Sequence, residues 1–187
     1  MQLTWEFLKN SVQNCDLCAL CAARTNIAFG EGNEQADILF VGEGPGREED
    51  LQGRPFVGPA GQLLDKMLAA IDLKREDVYI ANIVKCRPPN NRVPQEKEAL
   101  ACLPYLRAQT ALLRPKIIVC LGATAAKYVY APDVRITKQH GIWLEKKGVF
   151  IMPTYHPAAL LRDPAKKREA WADLQAVQEK YRSMALR

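Results

Sequence analysis

Three short apolar runs, Ile38 to Val41, Val78 to Ile83 and Ile117 to Leu121, constrain the fold of this chain more than any other feature. A strand with one wet face alternates apolar and polar residues, and these runs barely alternate. They read as strands buried on both faces, the pattern of a parallel sheet covered by helices. The segments between them carry helical spacing. Leu63, Leu64, Met67, Leu68 and Ile71 fall on one helical stripe within Gly61 to Ile71. Pro94 suits the first turn of a helix reaching about Leu113, where Pro104 predicts a kink or a split into two helices. Helices are also expected over Trp5 to Val12, from Ala123, and from about Pro164 to Met184. Trp143 to Glu145 and Val149 to Met152, joined by Lys146-Lys147-Gly148, read as a hairpin.

This alternation predicts an α/β protein of three layers, α/β/α, around a central, mainly parallel four-stranded sheet, as one domain over residues 1–187. Ligands of such sheets bind beyond the carboxyl ends of the strands. Three motifs stand there: Gly42 to Asp50, Asn82 to Asn91, and His156 to Arg162. Their convergence predicts a single site.

Each motif has two readings on its residues alone. Gly42-Glu43-Gly44-Pro45-Gly46 is a phosphate cradle or a tight strand-exit turn. It lacks the Gly-Lys-Ser/Thr ending of a nucleotide loop, and the acids Glu48-Glu49-Asp50 that follow favour the turn. Asn82 ends a buried strand, where an amide needs partners. Its acceptor and two donors suit a base edge, or a cap. His156, between Tyr155 and Pro157 in a loop, suits catalysis or a structural role, and His140 reads as structural.

Nothing in the chain suits a membrane. The best apolar run, Ile117 to Ala126, is interrupted and too short to cross a bilayer, and Met1 to Cys15 lacks the pattern of a signal peptide. A soluble protein of the cytoplasm is expected, so its six cysteines point to a metal or a reactive site rather than disulfides. Cys15, Cys18 and Cys21 form C-x2-C-x2-C, and from spacing these three with one distant cysteine are a fair ligand set for zinc or a four-iron cluster. A zinc ribbon would close with a second tight pair, which is missing. Cys120, inside an apolar strand, reads as a small buried residue. The net charge of +5 permits a polyanionic partner without requiring one.

Taken together the segments resemble the family 4 uracil-DNA glycosylases, the iron–sulfur branch of that superfamily. The resemblance rests on Gly42-Glu43-Gly44-Pro45-Gly46 with Glu49-Asp50, and on Gly53-Arg54-Pro55-Phe56-Val57-Gly58. It rests equally on the run from Asn82 through Lys85-Cys86-Arg87-Pro88-Pro89 to Arg92, and on His156-Pro157-Ala158-Ala159-Leu160-Leu161-Arg162. It implies the uracil-DNA glycosylase fold and a base-excision-repair enzyme that hydrolyses the N-glycosidic bond of uracil in DNA, leaving an abasic site without cutting the strand. It implies a four-iron, four-sulfur (4Fe-4S) cluster on Cys15, Cys18, Cys86 and Cys102, with Cys21 and Cys120 left over.

The resemblance also implies roles. Phe56 stacks on the flipped uracil, Asn82 reads its Watson–Crick edge, and Gly42 and Gly44 line the pocket, a backbone N–H near Gly44 assisting. His156 hydrogen-bonds uracil O2, and Glu43 orients the attacking water, with Asp50 as the fallback. The Glu43 region is the expected wall against the methyl of thymine. Asn91, Arg92 and Arg162 are expected at the DNA, with Leu160 or Leu161 as the wedge. The expected partner is uracil-containing DNA and the expected state a monomer; contact with a sliding clamp is left open. The alternatives are a covalent or non-catalytic uracil-DNA-binding iron–sulfur protein, a redox or scaffold protein, and a zinc-bearing nucleic-acid module. The covalent branch carries an added basic loop with a reactive histidine, and Pro88 to Pro94 is short and has none.

Overall fold

The computed structural model describes residues 3–185, so the outermost two residues at each end of the expected 1–187 domain lie outside it. In chain order its regular elements begin with α1 (Trp5–Gln13), β1 (Glu31–Gly32), β2 (Ile38–Gly42), α2 (Arg47–Gln52), α3 (Pro59–Ala69) and β3 (Tyr79–Asn82). There follow α4 (Glu96–Leu113), β4 (Ile117–Leu121), α5 (Ala123–Val129), α6 (Ile136–Gln139), β5 (Leu144–Lys146), β6 (Val149–Thr154), α7 (Pro157–Arg162) and α8 (Lys167–Ala185).

The strands form one six-stranded sheet in the order β1-β3-β2-β4-β6-β5. Its centre is the expected parallel four, β3-β2-β4-β6, in a register that sets Phe40 beside Ile80 and Val119, and Val119 beside Met152. The two edges are antiparallel additions: β1 pairs with Tyr79 and Ile80 only, and β5 is the first arm of the hairpin. Lys147 and Gly148 both take positive φ, the turn geometry that matches strand twist in a two-residue hairpin loop.

Period two sorts the strand residues between two cores. Ile38, Phe40, Ile117, Val119, Leu121 and Met152 face the side covered by α3 and α8, with Leu64, Leu68, Leu174 and Val177. Leu39, Val41, Ala81, Ile118, Cys120 and Ile151 face the other side, with Leu8 and Val12 of α1, Leu103 and Leu106 of α4, and Ala125 and Ala126 of α5. The three-layer expectation holds, and Cys120 is wholly buried in the strand.

Pro104 neither splits nor ends α4, which runs unbroken from Glu96 to Leu113. Proline removes the hydrogen bond to the carbonyl four residues earlier, here that of Leu100. Leu100 and Pro104 are both exposed, so that face of the helix is open to water and the freed carbonyl can be solvated.

Candidate active site and thiol site

A cleft of about 900 Å³ opens at the carboxyl ends of the parallel strands and is lined by all three strand-exit motifs. The residues expected at the substrate meet there. Asn82, 1% exposed, projects from the end of β3. Its Oδ1 is the one buried side-chain polar atom among the described residues without a hydrogen-bond partner. Gly42 stands beside Asn82 in the parallel register. A Cβ there would overlap Asn82 Oδ1 and come within 2.5 Å of Phe56 Cζ, so a glycine keeps this corner open.

Phe56 holds the left-handed backbone region at φ 54, which an aromatic residue rarely adopts. The strain is held from several sides. Arg75 donates to the carbonyls of Pro55 at 2.7 Å and Phe56 at 2.9 Å, while pairing with Glu31 and Asp65. Gly61, in α3, has no side chain to overlap the Phe56 carbonyl. The Glu49 carboxylate accepts from Val57 N at 2.9 Å and Gly58 N at 2.8 Å, and its other oxygen from Gly46 N at 3.1 Å. One side chain thus ties the turn after β2 to the loop carrying Phe56. Sequence reasoning missed this role, although Glu49 stands third after Gly46, the spacing of a capping box.

His156 caps α7, its Nδ1 accepting from Ala158 N at 3.1 Å. Burial, with Arg162 nearby, pushes its pKa down to about 4. At neutral pH the ring is therefore uncharged, and with Nδ1 accepting, the proton sits on Nε2. Gly122, at φ +92, gives the ring room, since a Cβ there would lie 2.9 Å from His156 Cβ. Glu43 lines the cleft with Oε2 accepting from the Thr124 hydroxyl at the start of α5.

Two expectations are corrected. Asp50 does not line the cleft; it is buried with Oδ1 accepting from Thr25 N at 2.9 Å and Asn26 N at 3.4 Å, so it bonds the chain before β1 instead of a water. Leu160 is 2% exposed and packs in the core under the sheet, whereas Leu161 is 46% exposed and lines the cleft. A wedge must reach the duplex, and a side chain buried as Leu160 is does not.

Asn91, Arg92 and Arg162 all border the cleft. Arg92 is committed to a two-pronged ion pair with the buried Glu98, at 2.7 and 2.8 Å, and Glu98 also accepts from Gln95 N at the start of α4. Asn91, at φ 55, accepts from Arg87 Nε at 2.7 Å. His140 lies outside the cleft lining, with Nδ1 3.0 Å from Asp173 and Nε2 3.3 Å from Glu169.

On the α1 and α4 side of the sheet, Cys15, Cys18, Cys21, Cys86 and Cys102 line one narrow, largely apolar hollow. Among the described residues no three His, Cys, Asp or Glu groups are arranged to hold a single metal ion. The donor set suits a larger thiolate-bound group: Arg24 donates to Cys86 Sγ at 3.4 Å and Lys85 N to Cys102 Sγ at 3.3 Å, aiming N–H groups at the sulfurs. Burial raises the thiols of Cys18 and Cys86, and pushes that of Cys102 up to about 11 against the pull of Lys85. Thiols so placed ionise when a cationic group binds them.

Over most of its length the chain is similar to known proteins. A family profile described as the uracil DNA glycosylase superfamily matches residues 29–175. A type-4 uracil-DNA glycosylase of Thermotoga maritima is 51% identical over 162 residues, covering 84% of this chain and 83% of that protein. One from Sulfurisphaera tokodaii is 46% identical over 183 residues, covering 93% and 83%. A type-5 uracil-DNA glycosylase of Pyrobaculum aerophilum is 33% identical over 146 residues, covering 69% and 64%.

Proposed function

This chain belongs to the uracil-DNA glycosylase superfamily, and from that premise we infer that its cleft hydrolyses the N-glycosidic bond of uracil in DNA. It is a DNA-repair hydrolase acting on N-glycosyl bonds. The unpartnered Oδ1 of Asn82 carries the reading of the site. A buried acceptor without a donor is expensive, and uracil N3–H supplies the donor while the amide N–H₂ reaches O4. Cytosine reverses both polarities and would leave buried groups unpaired, a discrimination on the order of 10⁴. The ring of Phe56 offers the stacking face, and the Glu43–Pro45 turn is the wall that refuses a C5 methyl.

As the N1–C1′ bond breaks, its electron pair moves onto the uracil ring and positive charge grows on the sugar. The Nε2–H of neutral His156 donates to O2 and stabilises the departing anion, aided by a backbone N–H near Gly44. Being uncharged, the imidazole shares its proton without surrendering it. Glu43, held through Oε2 by Thr124, accepts from a water with its other oxygen and directs it to C1′. The C1′–O bond forms as the water proton passes to the carboxylate and then to solvent. None of these groups is a nucleophile that could form an imine with the opened sugar, which supports an enzyme that leaves the strand intact.

Cys15, Cys18, Cys86 and Cys102 would hold the 4Fe-4S cluster, with Cys21 beside them. Bound there, the group supplies a crosslink between the chain after α1, the exit of β3 and helix α4. Phosphates flanking the flipped nucleotide would meet Arg162 and Asn91, with Arg92 bracing their loop and Leu161 entering the emptied stack. One chain supplies every group named, which supports a monomer; free thiols suit the reducing cytoplasm. No helix among the described residues is long and apolar enough to cross a membrane.

Incubation with an oligonucleotide holding one uracil tests the reading. Free uracil should appear, with strand breakage only after alkali, and a cytosine oligonucleotide should release nothing. Breakage before alkali would contradict the hydrolytic mechanism, and release of cytosine would contradict the role of Asn82.

A further inference from the structure

We propose that Lys85 is a positioning residue for excision, whose buried ammonium group fixes the backbone of Asn82 and joins it through one residue to the thiol site. The inference rests on the reading of Asn82 as the base-reading group and adds to it a residue outside the cleft lining.

Lys85 is 1% exposed, the one lysine or arginine among the buried residues described. Its Nζ donates to the Asn82 carbonyl at 2.9 Å and to Gln109 Oε1 at 2.6 Å. The sheet explains why the carbonyl needs it. Ile83 N donates to Gly42 O, so residue 83 turns its polar groups to β2 and residue 82 turns its own to the β1 side. β1 does not reach that far, since it is antiparallel and pairs with Tyr79 and Ile80 only. Without Lys85 the Asn82 carbonyl would be a buried acceptor with no strand beside it.

Gln109 is itself aimed. Its Nε2 donates to Phe29 O at 2.9 Å, which turns Oε1 to Lys85, and a Cβ on Gly30 would come within 3.0 Å of that Nε2. The backbone of Lys85 is held equally: its N–H donates to Cys102 Sγ at 3.3 Å, and its carbonyl accepts from Ala28 N at 2.9 Å.

Filling space does not explain a lysine here. The buried acids are all engaged elsewhere: Asp50 with Thr25, Glu98 with Arg92, Asp173 with Thr154. An ammonium buried without a carboxylate is costly, and an apolar residue of similar length would fill the volume at less cost. What the position supplies is a strong donor at a fixed point. Carbonyl and amide belong to the same residue, so displacing one turns the other, and a misplacement of about 1 Å lowers a rate by up to ~10²-fold.

A double-mutant cycle tests this under single-turnover conditions, with enzyme in excess over uracil-containing DNA. Lys85→Met should lower the excision rate about 10- to 100-fold in the otherwise native protein, yet less than about 3-fold in an Asn82→Ala background, because both act through one group. The iron content and visible absorption of Lys85→Met should match the native protein. Equal losses in both backgrounds, no loss in either, or loss of the iron would overturn the proposal. Should Lys85→Met fail to fold, Gln109→Met removes the other acceptor and should show the same non-additivity at about 3- to 10-fold; additive losses there would overturn it too. An Asn82→Ala variant as active as the native protein would instead remove the premise, and is read from that variant alone.

Discussion

The ring of Phe56 lies against the imidazole of His156, their centroids 5.5 Å apart and their planes inclined by 29°. One ring comes from the loop before α3, the other from the exit of β6. Both rings line the cleft with Asn82, and a Cβ on Gly42 would overlap Asn82 Oδ1 and the Phe56 ring.

Gly42→Ala is therefore expected to harm catalysis more than folding. The added methyl overlaps Asn82 Oδ1 and the Phe56 ring, which must move into the cleft, at a cost of about 1–3 kcal/mol. Excision should fall at least ~10-fold, with a melting temperature lowered by about 2–12 °C and a cooperative fold retained. Activity equal to the native enzyme would show that the corner is not where the base is read.

Glu49→Gln replaces a carboxylate that accepts three backbone N–H groups by an amide that turns an N–H₂ toward one of them. Charge-assisted bonds of this kind contribute about 1.5–3 kcal/mol each. Thermal melting should show a lower midpoint, and kcat/KM should fall with it because the loop carrying Phe56 is released. Unchanged melting would mean that the carboxylate is not holding the two loops together.

The two leucines of α7 should separate cleanly. Leu160→Ala removes a core side chain and should destabilise by about 2–5 kcal/mol in denaturant unfolding. Leu161→Ala should leave stability unchanged within about 0.5 kcal/mol and slow excision from duplex more than from single-stranded DNA, which has no stack to refill. Equal slowing on both substrates would contradict the wedge role.

The depressed pKa of His156 sets a pH signature. A free histidine titrates near 6.5, and here burial holds the value to about 4. Between those values the unfolded chain binds a proton that the folded chain refuses. Its contribution to stability is thus fully present above about 6.5 and is lost as pH falls toward 4. The excision rate should accordingly show no break near pH 6.5. A break there would mean that the imidazole ionises freely and that Nε2–H is not its sole donor.

What the sequence made legible follows from period and punctuation. The buried strands, their exits and the Lys146-Lys147-Gly148 turn are local patterns: Ile117–Leu121 has the expected bounds, and the other strands differ by a residue or two at one or both ends. β1 could not be read, because Glu31 and Gly32 owe their strand to the edge of Tyr79 and Ile80 instead of to any apolar pattern of their own. Within the site, residue types were legible and directions were not. Leu160 and Leu161 are neighbours on a helix of six residues, too short for periodicity to say which turns inward. Asp50 follows Glu49 directly, yet one bonds the chain before β1 and the other the Phe56 loop. Arg75 reaches the Phe56 carbonyl from nineteen residues away, and Lys85 is aimed at the Asn82 carbonyl by Gln109, twenty-four residues on, which no sequence spacing encodes.

The most direct test of the central claim is alkaline cleavage of a labelled oligonucleotide containing a single uracil, after incubation with the native protein or with Asn82→Ala. Uracil-dependent cleavage by the native protein, lowered at least ~100-fold by the variant while its fold and DNA binding persist, is the predicted result. Native-like cleavage by folded Asn82→Ala, or none by the folded, iron-loaded native protein, would contradict the account.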